Sequence, residues 1–172
     1  MRGDDLVLVD PLLSEEQLDQ LKPPRHAALH VVLTIHWHTR SAAEIVRRHP
    51  RARVWAHTPD AAPIRRRTPV TDLFRPGERL PGGLEAHVAR PRTEVVLWEP
   101  AARALIPGDV ILGDAAGGLT MCPGWWLPQS ATIEQLRGKL EPLLELPVEM
   151  VLVSHGEPVL GGGRGALEKA LG

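Results

Sequence analysis

The chain has 172 residues, enough for one domain with a substantial apolar core. Its net charge of −1 gives no basic footprint for nucleic acid, and no run of apolar residues is long enough to offer a membrane span. The single cysteine, Cys122, excludes an internal disulfide, and the opening MRGDDLVLVD has no apolar leader core, so the expectation is a cytoplasmic protein.

Leu6 to Val9 is a short apolar run stopped by Asp10-Pro11 and reads as a strand. Ser14-Glu15-Glu16-Gln17 is a capping box, which starts a helix reaching Leu21 before Lys22-Pro23-Pro24 ends it. Val31 to Ile35 is the second strand and runs into a short loop carrying His36 and His38. Ser41-Ala42-Ala43-Glu44 is a second capping box, with Ser41 as N-cap of the next helix, and Arg53 to Ala56 is a third strand. This alternation implies parallel pairing through right-handed crossovers.

The middle of the chain changes character. Pro59 to Pro69 is rich in proline and arginine and reads as loop with one helical turn. Leu84 to Val88, Val95 to Glu99 and Ala104 to Ile106 read as consecutive short strands, the last two joined by a hairpin-like link and closed by Pro107-Gly108-Asp109. Gly113 to Gly118 reads as a flexible loop, and Trp125-Trp126 follow in a proline-flanked segment. Thr132 caps a helix to Leu140, Val148 to Val153 is the last strand, and Arg164 to Leu171 is a terminal helix. No internal boundary is visible, so one domain spans 1–172. Two half-domains mixing sheet and helix suggest an α/β (α+β) fold with two mixed sheets face to face and helices outside.

The residues able to carry chemistry gather at strand ends. His36 and His38 lie one residue apart after a rigid strand, Asp109 follows a Pro-Gly turn, and His155 stands in Ser-His-Gly after the last strand. Singly, each has a plain structural reading: polar loop residues, a turn aspartate, a loop histidine. Together they form a metal-type donor set placed where open α/β folds hold ligands. Trp37, Trp125 and Trp126 fit a pocket mouth or ordinary packing. Trp55 and Trp98 read as core, Cys122 as a small packing residue, and His57 and Glu157 lie near strand ends without an assigned role.

VLTIHWHTRSAAEIV, VVLWEPAARALIPGDVILG and VLVSHGEPV, in that order, resemble three motifs of the metallo-β-lactamase superfamily: its strand–HxH–helix, its strand–turn–strand ending in Gly-Asp, and its closing strand with histidine. The likeness covers nearly the whole chain and implies an αββα sandwich. His36 and His38 match two histidines of the family's first metal, Asp109 its bridging carboxylate and His155 its last histidine. Arg90 aligns with the third histidine, and Arg40 and Ser41 stand where the second metal takes an aspartate and a histidine. A guanidinium has no lone pair to donate, and about 4 Å from a divalent cation it costs several kcal/mol even in a polarisable interior. The family's N-terminal hairpin has no counterpart, which would leave a sheet edge open for homodimerisation.

Two functional expectations follow from this resemblance. In one, the metal-dependent hydrolase fold retains weak or no catalysis, Arg40 or Arg90 pairs with Asp109, and the pocket takes a small-molecule or anionic ligand with no metal. In the other, one zinc or iron ion on His36, His38, Asp109 and His155 supports hydrolysis of an ester, thioester or phosphoester, with Asp109 in the catalytic role.

Overall fold

The computed structural model describes residues 5–90 and 93–172. The chain forms two compact units, Met1–Ala86 with Arg92–Glu94, and His87–Pro91 with Val95–Gly172.

The first unit is built on a four-stranded parallel sheet in the order β1-β2-β3-β4, from Leu6–Val9, Leu29–Leu33, Arg53–His57 and Asp72–Phe74. Every pairing is parallel, as the strand–helix alternation implies, with Leu8 opposite Val31 and Val31 opposite Val54. All five residues of β2 are buried, the mark of a central parallel strand. Helices α1 (Glu15–Gln20), α2 (Ala42–Arg48) and α3 (Ala61–Arg65) belong to this unit. Leu18, Ile45 and Ile64 from these helices join Val31, Leu33, Val54 and Ala56 in one apolar cluster. Parallel pairing brings all four carboxyl ends to one edge of the sheet, so Asp10, Thr34, His57 and the turn after β2 share that edge.

Sequence and structure differ here in several places. Strand β2 lies two residues earlier than expected, and β4 was not expected at all. The box at Ser14 and Gln17 forms as read, each side chain bonded to the other's backbone N–H. The box at Ser41 does not. Ser41 has helical dihedrals (φ −83°, ψ 0°) and caps nothing with its side chain. Its Oγ instead accepts from Leu13 N–H at 2.9 Å, and Glu44 turns to Arg47 and Arg48. Two arginines within one turn offer Glu44 charged donors, and these outcompete a backbone amide.

The second unit holds a sheet in the order β10-β7-β6-β5, from Met150–Val151, Ala104–Ile106, Glu94–Glu99 and Glu85–Arg90. Strands β6 and β7 are antiparallel, with Trp98 opposite Leu105, and β10 runs parallel to β7. The stretch expected to be a flexible loop is the turn of a hairpin, β8 (Ile111–Gly113) with β9 (Leu119–Met121). Asp114 closes that turn by accepting from the N–H groups of Ala116 and Gly118, an aspartate turn hidden among the glycines. Helix α4 (Ile133–Leu140) carries the expected Thr132–Gln135 box, and α5 (Gly163–Leu171) ends the chain. Trp98, Leu105, Ile111, Leu140, Val151 and Leu167 form the core of this unit, with Cys122 packed among them. The last strand is two residues long rather than six, because Val151 also bridges Val159 and the chain turns away. Among the described residues, no helix is long and apolar enough to cross a membrane.

Candidate metal centre

In the first unit, the turn after β2 is a 3-10 segment, His36–Thr39. Both of its imidazoles are fixed by carboxylates, Asp10 and Asp60, that carry no local sign of this role in the sequence. His38 is buried, and its Nδ1–H donates to Asp10 Oδ2 at 2.8 Å. Asp10 also accepts from the backbone N–H and the hydroxyl of Thr34, so one buried carboxylate ties the ends of β1 and β2 to the histidine. It holds this position with a left-handed backbone (φ 46°), which aspartate tolerates better than most residues. An imidazole with Nδ1–H committed in this way keeps its lone pair on Nε2, the usual arrangement of a metal-binding histidine.

His36 is held likewise, its Nδ1 lying 2.7 Å from Asp60 Oδ1. Asp60 is itself buried, and that burial pushes its carboxyl above the usual range while His36 pulls it back. His57, at the end of β3, is buried against Phe74, and burial holds its imidazole below the ordinary value. Trp37 is exposed and lies beneath Arg67, whose guanidinium is 5.0 Å from the ring and also donates to the carbonyl of His36. The Asp10-Pro11 and Pro59-Asp60 sequences read as turns, and only the parallel register shows that their carboxylates face imidazoles from the neighbouring strand.

Arg40 takes φ 24° and ψ −105°, a strained backbone for a residue with a Cβ. Ser41 beside it spends its hydroxyl on Leu13. Neither supplies the acid and imidazole of a second ion.

In the second unit, Asp109 and His155 come together, with Nε2 of the histidine 3.3 Å from Oδ1 of the aspartate. Asp109 follows β7 through the Pro107-Gly108 turn, where Gly108 has φ 59°. His155 is held through its backbone, its carbonyl accepting from Gly113 N–H at 2.9 Å. That loop seats against β8 only because both partners are glycine. A Cβ on Gly113 would lie 2.3 Å from the carbonyl of Glu157, and one on Gly156 would lie 2.3 Å from that of Gly113. Trp126 packs edge-on to His155 at 6.3 Å, with Trp125 outside it and largely exposed. Arg90 donates to Cys122 Sγ at 3.3 Å, so at the position aligned with a third histidine a guanidinium meets a buried thiol. Pro91 and Arg92, which follow it, lie outside the described residues.

The donors present fit a metal ion. At 3.3 Å the Asp109–His155 separation is longer than the ~2.7–2.9 Å of a charge-assisted hydrogen bond. It matches the roughly 3.4 Å edge of a tetrahedron with bonds of about 2.1 Å, which is what zinc takes from a carboxylate and an imidazole. The buried carboxylate behind His38 is the support such a ligand requires.

No protein-family model matches this sequence, and no curated protein matches it. Its fold is nevertheless shared by many solved structures. A protein described as TTHA1623 in a di-iron-bound form superposes with TM-score 0.68 at 21% identity, over 95% of this chain and 87% of that one. A metallo-β-lactamase from Pontibacter korlensis gives 0.68 at 17% identity, over 99% and 84%. The metallo-β-lactamase from Hirschia baltica gives 0.65 at 17%, over 99% and 81%. At such low identity the likeness speaks for the backbone and its topology, and there it is unambiguous: this chain has the metallo-β-lactamase fold.

Proposed function

We propose that this protein is a metal-dependent hydrolase that works with one ion, held by Asp109 and His155. The observation that carries this reading is the 3.3 Å approach of Asp109 to His155, a coordination distance between two donors on separate loops. It is supported by the fold and by two structural neighbours described as a di-iron form and a metal-soaked flavodiiron core. Arg40 and Ser41 argue against a second ion.

A bound divalent ion would supply Lewis acidity to a carbonyl or phosphoryl oxygen of an ester, thioester or phosphoester. The chain's own residues supply the rest. Asp109 is the carboxylate donor and would offset part of the ion's charge. Asp10 keeps His38 in one tautomer, and Trp126 packs edge-on against His155. His36, backed by Asp60, lies with His38 and His57 at the carboxyl edge of the parallel sheet. The other expectation, a fold with catalysis largely lost, is favoured by one observation: Arg90 stands at the third-histidine position and is directed to Cys122.

The two readings separate in one experiment. Chromogenic ester, thioester and phosphodiester substrates are offered to protein loaded with zinc or iron, before and after chelation. Turnover that disappears with chelator and with Asp109→Asn supports the hydrolase. Well under one ion per chain after loading, with no chelator-sensitive turnover on any of the three, favours the quiescent site.

A further inference from the structure

The first unit carries a cavity that the chemistry above does not use. It lies at the amino-terminal edge of the parallel sheet, where the chain enters β2 and β3, whereas His36, His38 and Asp60 lie past the carboxyl ends of those strands. Its volume is about 650 Å³, in the range of small-molecule sites. The floor is apolar, with Leu29 and Ala52 buried in it. The walls hold Arg25, Arg48 and Arg51 with two histidines, and among the described residues no carboxylate lines it. In a chain of net charge −1, that is a concentration of one sign in one concavity, where low-dielectric walls focus the field.

The three guanidiniums are not equivalent. Arg48 is neutralised by Glu15, Asp19 and Glu44 and acts as wall. Arg25 and Arg51 are exposed, and among the described residues neither has an ion-pair or hydrogen-bond partner. Asp5 reaches the cavity's backbone, accepting from Ala28 N–H at 3.0 Å, but it also pairs with His30. The C-terminal end of α2 brings some negative dipole to the same place, answered by Arg47 and Arg48 in its last turn.

We propose that this cavity binds an organic anion, a carboxylate or phosphate monoester with an aryl or alkyl body. Arg25 and Arg51 take the charged group by charge-assisted hydrogen bonds, and the apolar part lies over Leu29 and Ala52. The proposal stands apart from the metal reading, because no residue is shared between the two.

Titration of the protein as purified with phenylphosphonate and benzoate, followed by backbone amide shifts, tests it. Neutral benzyl alcohol serves as comparator. Saturable shifts are expected at Ala27, Ala28 and Ala52 for both anions and not for the alcohol, weakening as salt is raised. The double variant Arg25→Gln/Arg51→Gln, altered only at exposed side chains, should bind at least about tenfold more weakly with an otherwise unchanged spectrum. The proposal is overturned if those amides do not move, if shifts appear only around Asp109 and His155, if the alcohol binds as well as the anions, or if the double variant keeps its affinity.

Discussion

Asp10 Oδ2 lies 2.8 Å from His38 Nδ1, joining the last residue of one strand's exit to the imidazole at the exit of the next. The same carboxylate satisfies Thr34, so it stabilises the edge and orients the histidine at once. Asp10→Asn keeps an acceptor and tolerates the left-handed backbone, so it isolates the charge. It is expected to cost about 1–3 kcal/mol of stability. Urea unfolding measures the effect, and stability unchanged in this variant would mean that the charge of Asp10 does not hold this edge together.

The Gly113–Gly156 contact makes a second prediction. Gly113→Ala forces a methyl into the backbone of Glu157, so the loop carrying His155 must move. A loss of roughly 2 kcal/mol or more, with loss of metal binding, is expected. Gly165→Ala is the control. It sits inside α5 with nothing within 4 Å of the added methyl, and should stabilise by about 0.5–1 kcal/mol. Thermal melts of both variants check the pair.

Arg40 offers a test in the opposite direction. Its φ of 24° is strained for any residue with a side chain. Arg40→Gly should therefore raise stability by about 1 kcal/mol in denaturant unfolding. A destabilised variant would mean that the side chain contributes more than its backbone costs.

His57 sets a pH dependence. Burial lowers its pKa in the folded chain, so the unfolded chain binds the proton first as pH falls. Its contribution is fully present above about pH 6.5 and is lost as pH drops through the folded value, at up to ~1.4 kcal/mol per pH unit. His57→Leu should flatten the acid limb of the stability profile by up to one proton. Buried His30, whose pKa is also lowered by burial, keeps a residual slope.

Much of this architecture was legible in the sequence because its signals are local. The capping boxes at Ser14 and Thr132, the apolar runs of β1, β3, β6 and β7, and the Pro-Gly turn before Asp109 each declare themselves within a few residues. Ser41 shows where that logic stops: the box pattern was present, but Leu13, 28 residues away, took the hydroxyl. The hairpin of β8 and β9 was hidden by glycines of different purpose: Gly113 serves close approach to the His155 loop, and Gly118 meets the Asp114 carboxylate that closes the turn. Asp10 and Asp60 were invisible as site residues because a carboxylate in a turn becomes a histidine's partner only through strand register. The pairing of Asp109 with His155, 46 residues apart, came from family resemblance, and spacing alone could not have supplied it.

Asp109 and His155 are the proposed metal donors. Elemental analysis of protein purified without chelator, beside the variant Asp109→Asn/His155→Ala, tests this assignment most directly. About one zinc or iron per chain in the wild type, falling to a small fraction in the variant, is the predicted result. Well under one ion in the wild type after loading and desalting, or equal content in the variant, would contradict it.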